Sequence, residues 1–112
     1  MKIEKKEKYT IVSPTESNFE DFFTAFNSEV ETLTTEHIFI NFLESFSVNV
    51  SELEKFSSIS ENKKENGNSF VLITTTVEID DFEDESLSVV PTLGEAEDVL
   101  EMDDIERDLL GL

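Results

Sequence analysis

His37 is the only imidazole in the chain, and there is no cysteine. Catalysis at neutral pH needs a base or nucleophile of workable pKa. His37 stands directly before the apolar run Ile38-Phe39-Ile40, so it reads as a strand-start residue rather than a catalytic or metal-ligating one. An open zinc site takes three protein ligands, and the histidine count excludes a hydrolase of the metallo-β-lactamase type. The cluster Asp80-Asp81-Phe82-Glu83-Asp84-Glu85 carries the oxygens that calcium and magnesium prefer. It lacks the D-x-D-x-D-G spacing of a calcium loop, and a solvated loop is expected there. The three glycines, Gly67, Gly94 and Gly111, lie too far apart to cradle a phosphate. No catalytic residue, cofactor or metal is expected, and the chain reads as a binding protein rather than an enzyme.

Composition agrees with that reading. The chain has 112 residues, fitting one domain over 1–112, and ten phenylalanines supply apolar volume for a core. Eight basic residues against 27 acids give a net charge of −19, and the acids concentrate late in the chain. From Glu78 to Asp108 there are 14 acids and one base, Arg107. Such a surface repels phosphate backbones and favours a basic protein partner, although its simplest role is solubility. The absence of cysteine, of a leader-like apolar run behind the N-terminal lysines and of any long apolar stretch leads to the expectation of a cytoplasmic location, with no membrane and no nucleic acid bound.

The elements that would position any site follow from periodicity. Lys2 to Ser13 reads as two short strands forming an edge hairpin, its lysines discouraging sheet-to-sheet association. Ser17-Asn18-Phe19-Glu20 has the form of a capping box, and Phe19, Phe22, Phe23, Phe26, Val30 and Leu33 then share one helical face. His37 to Leu43 reads as a strand buried on both faces, which implies a parallel sheet. Asn49 and Ser51 compete as N-caps of a second helix bearing Leu53, Phe56 and Ile59, with Gly67 ending it. Phe70 to Thr76 and Leu87 to Pro91 are further strands. Thr92-Leu93-Gly94-Glu95 opens a helix that carries Leu93, Ala96, Val99 and Leu100 inward. Beyond Glu101 the phase shifts, and Asp103 with Glu106 marks 103–112 as a separate helical turn after a break near Met102. Ile105, Leu109, Leu110 and Leu112 are expected to pack in the core, with a docking stripe as the alternative. The order predicts an α/β layer sandwich with three main helices and a mainly parallel sheet of 4–5 strands behind an N-terminal antiparallel hairpin.

That layout resembles a STAS domain of the anti-sigma-factor antagonist type. The likeness is carried by the buried strand His37 to Leu43, by the turn Ser47-Val48-Asn49-Val50-Ser51 into a helix with Leu53, and by Val89-Val90-Pro91-Thr92-Leu93-Gly94-Glu95-Ala96. In those antagonists the turn reads D-S-[S/T]-G, and a cognate kinase phosphorylates its second hydroxyl. Ser51 falls at that phosphoacceptor position, while Asn49, Val50 and Glu52 replace the other three letters, so the switch is degenerate. Between Thr76 and Leu87, where the family has a helix, this chain has room for about one turn. The resemblance implies a regulatory protein-binding module without catalysis, with Asn49, Ser51, Glu52 and Lys55 on the contact patch. Its partner would be a basic or kinase-like protein of the anti-sigma-factor type; as a helix N-cap, Ser51 would be structural instead. The chain also resembles small bacterial STAS-like proteins sometimes labelled ribonuclease Z. A true ribonuclease Z carries an H-x-H-x-D-H zinc motif that is missing here, so metal-dependent hydrolysis or RNA processing stands only as an alternative. Self-association as a homodimer or structural domain is another.

Overall fold

The computed structural model describes residues 1–33, 35–77 and 87–109. The fold is α/β. Five strands form one mixed sheet in chain order: β1 (Lys2–Lys5), β2 (Thr10–Ser13), β3 (Ile38–Asn41), β4 (Phe70–Ile73) and β5 (Ser88–Val90). β1 is antiparallel to β2, with Ile3 opposite Val12, and all other pairs are parallel. Three helical stretches accompany it among the described residues. The first is α1 (Phe19–Glu29), which tightens into a 3-10 turn over Val30–Leu33. The second is α2 (Val50–Glu54) followed by α3 (Ser57–Glu65), and the third is α4 (Leu93–Leu109).

Successive parallel strands each add to the same edge. Right-handed crossovers then place α1 and α2–α3 on one face of the sheet, here called the front. Strand side chains alternate between the faces. Val12, Ile38, Ile40, Phe70, Leu72 and Val89 point to the front, where they meet Phe19, Phe22, Phe26, Leu53 and Phe56. Ile11, Phe39, Val71 and Ile73 point to the back, where α4 covers them with Ala96 and Leu100. Ile38 to Ile40 are fully buried because this middle strand is covered on both sides.

Phe56 organises the front. Its ring centroid lies 5.1 Å from Phe23, 5.7 Å from Phe26, 5.8 Å from Phe19 and 5.9 Å from Phe70. The expected single helix to Gly67 is broken at this residue. Lys55 and Phe56 donate their amides to the carbonyls three residues back, a tightening that turns the Phe56 ring into the cluster. Gly67 does end α3, with φ +77. Its amide reaches the Lys64 carbonyl at 3.0 Å and that of Asn68 reaches the Lys63 carbonyl at 2.9 Å, which closes a Schellman motif.

Three expectations need correction. α1 is capped by Asn18, whose side chain accepts from the Asp21 amide at 2.9 Å, not by Ser17. Both frames offer a capping side chain followed three residues later by an acid, so spacing alone does not separate them. α4 runs unbroken through Met102 to Leu109; Asp103 is no cap, because its carboxylate accepts from the Ser69 hydroxyl at 2.7 Å. Ile105 and Leu109 are 54% and 81% exposed and stand outside the core. Leu110, Leu112, the acidic cluster 80–85 and most of the connection from Thr76 to Leu87 lie outside the described residues. No helix among the described residues is long and apolar enough to cross a membrane.

Candidate interaction surface

The turn Ser47 to Ser51 leads from the carboxyl end of β3 into α2. Its approach is rigid. Val48 is buried, and the Thr76 hydroxyl beyond β4 donates to the Val48 carbonyl at 2.8 Å and lies 3.4 Å from its amide. Thr76 is itself 3.0 Å from the Thr74 hydroxyl, so β4 pins the start of α2.

Asn49 is the N-cap. Its side chain accepts from the Glu52 amide at 2.9 Å, and the Glu52 carboxylate accepts from the Asn49 amide at 3.0 Å. This reciprocal box decides the competition between the two candidate caps: Ser51 is not the N-cap but lies inside α2, exposed to solvent. Lys55 reaches back across the front layer, its ammonium 2.9 Å from Glu20 and 5.7 Å from the centre of the Phe19 ring. The four candidates therefore divide. Asn49 and Glu52 satisfy each other, Lys55 is tied to α1, and the Ser51 hydroxyl alone has no partner among the described residues.

A second polar cluster, which sequence did not reveal, lies at the opposite edge, where β3 and β4 begin. His37 Nδ1 accepts from the Ser69 amide at 2.8 Å, so this nitrogen is unprotonated in the fold. Burial holds the imidazole pKa below its ordinary value, and the Arg107 guanidinium adds to that. His37 is thus a strand-start residue with a structural bond. Ser69 in turn donates to Asp103 and accepts from Arg107 at 3.4 Å, while Arg107 also pairs with Asp104 at 2.5 Å. The only cue to these contacts is that Arg107 stands alone among acids, and spacing cannot name its partner.

Lys63 stands in the last turn of α3, where a lysine ordinarily serves its own helix C-terminus, but it is buried, at 4% exposure. Its ammonium donates to the carbonyls of Leu33 and Glu36 at the end of the 3-10 turn. Desolvation lowers its pKa to about 8, opposed by the nearby Glu36 carboxylate. Lys63 thus closes a helix end from a distant part of the chain.

Among the described residues no group of three or more histidines and carboxylates is arranged to hold a metal ion. A cleft of about 450 Å³ on the back of the sheet is lined by residues that include Lys2, Glu4, Lys6, Asn41, Glu44 and Leu93. Its charged groups neutralise one another, with Glu4 2.8 Å from Lys2 and 3.5 Å from Lys6. Comparison of the chain with protein-family models and with curated proteins returns no match.

Proposed function

We propose that this chain is a non-catalytic, STAS-like protein-interaction module whose contact patch centres on Ser51. The observation carrying the reading is the division just described. Beyond the carboxyl end of β3 a rigid turn presents one hydroxyl with no partner among the described residues, while its neighbours are locked into the local structure. Support comes also from the layout, an antiparallel hairpin leading into a parallel sheet with a capped helix leaving the middle strand.

The same geometry gives a phosphorylated Ser51 a defined effect. Lys55 stands four residues on, within reach on the same side of the helix. A dianionic phosphate there would draw the Lys55 ammonium from Glu20 and loosen the tie between α1 and α2, opposed by Glu54 three residues on. A cognate kinase and a basic anti-sigma-type protein are the partners this reading names. Intact-mass measurement on protein from its native cell, combined with a low-salt pull-down, tests it. A stoichiometric partner captured by the native chain and lost with Ser51→Glu is expected. Unmodified mass together with equal capture by Ser51→Glu and Ser51→Ala would sink the switch, and no stoichiometric partner at all would sink the module.

A further inference from the structure

α4 is much longer than the sheet it covers. Its 17 residues span about 25 Å, whereas strands of three or four residues span about 10–13 Å. It starts beyond the carboxyl end of β5 and runs back against the strand direction. Its first half seals the back with Ala96 and Leu100. Its second half passes the start of β4, where Asp103 and Arg107 hold it to Ser69.

At about 100° per residue, Ala96, Leu100, Asp103 and Arg107 form one row along the helix. Met102, Ile105 and Leu109 form another, about 160° away on the opposite side. They are 62%, 54% and 81% exposed, so three large apolar side chains stand in line facing outward. The same angular count places Glu101 and Asp108 along one flank of this row, Glu106 along the other and Asp98 at its end. All four acids are exposed.

We infer that the outer face of α4, from Asp98 to Leu109, is a docking surface for a basic amphipathic helix of another protein. Apolar knobs on that partner would cover Met102, Ile105 and Leu109, and its lysines or arginines would meet the four acids. Charge selects this occupant. A second copy packed about a two-fold axis would set the acid flanks against themselves in chains that each carry −19. An anionic membrane or a nucleic acid is repelled by the same carboxylates. This surface lies on the opposite face of the sheet from Ser51 and does not depend on the role of that residue.

The test uses the full chain and a fluorescein-labelled synthetic peptide of about 18 leucines and lysines, with leucines at helical i, i+3, i+4 and i+7 spacing. A second peptide of equal composition has its leucines scattered. The patterned peptide is expected to bind at least about tenfold more tightly than the scattered one, and to weaken as ionic strength rises. The double variant Met102→Gln with Ile105→Gln keeps helix-forming side chains and should weaken binding about tenfold. Leu43→Gln, at an exposed leucine elsewhere, should leave it unchanged. Equal binding of the two peptides, or full binding by the double variant, would overturn the proposal. So would a dimer in sedimentation, or capture by anionic lipid vesicles, that the double variant abolishes. Ser51→Glu should not alter peptide binding, which separates failure here from failure of the switch.

Discussion

The two faces of the sheet receive alternate residues of the same strands, yet they are covered in different ways. On the front, among the described residues, six buried phenylalanines and two partly buried ones interlock beneath α1, α2 and α3. On the back a single buried phenylalanine among the described residues, Phe39, stacks on Tyr9 with centroids 4.3 Å apart, and α4 contributes Ala96 and Leu100, buried, with Leu93 and Val99 partly buried beside them. Ring packing on the front draws residues from several elements, so no one element can shift alone. On the back one helix rides on a flat aliphatic strip, anchored at its far half by polar bonds to Ser69. Strength therefore comes from cross-element interlocking on one face and from a hinge-free rod on the other.

The sharpest way to break that contrast is Phe56→Ala. Removing the ring that five others surround should cost about 3–5 kcal/mol, read as a lower urea midpoint with unchanged slope. Leu100→Ala on the back should cost about 2 kcal/mol, because α4 can settle toward the sheet and close part of the cavity. Equal losses for the two would dissolve the distinction between the faces. Lys63→Met, which strands the carbonyls of Leu33 and Glu36, should cost about 1–3 kcal/mol near pH 7.

Lys63 also sets a pH signature. Its pKa is about 8 in the fold against 10.5 for the ordinary side chain, so above pH 8 the unfolded chain holds more protons at this group. Stability therefore rises with pH through this group between about pH 8 and pH 10.5, and does not vary with it below that window. Denaturation series at pH 7.5 and 9.5 should differ by less in Lys63→Met than in the native chain. The smallest expected effect is Asn49→Ala, about 1 kcal/mol from loss of the α2 cap. Calorimetry giving no change there would mean that Val48 and Thr76 hold the turn without the box.

Residues whose partners are near in sequence are legible from the sequence alone. Phe19 to Leu33 announced α1 through helical spacing, Ile38 to Ile40 announced a doubly buried strand, and Gly67 announced the end of α3. Where two neighbours offered equivalent capping chemistry, as Ser17 and Asn18 or Asn49 and Ser51 did, only the folded backbone distinguished them. Asp103 misled because a helix-start signal and a tertiary acceptor are the same carboxylate, and its true partner, Ser69, lies 34 residues away. Lys63 could not be read for a like reason: a lysine near a helix end normally serves its own helix, and this one serves another. At the candidate site, the position of Ser51 was visible in sequence, but its freedom was not, since that depends on the Asn49–Glu52 box and the Lys55–Glu20 tie.

The sheet order, in which each strand lies beside its predecessor in the chain, has a consequence for assembly. Every new strand can dock on an edge already formed, so the sheet can extend in the direction of synthesis without waiting for a distant segment to return. α4 follows all five strands, which leaves Ile11, Val71 and Ile73 without their helix on the growing back until it arrives. During that interval the nascent chain presents a sticky aliphatic strip, and the lysines of β1 at one edge of the sheet help keep neighbouring chains from pairing there.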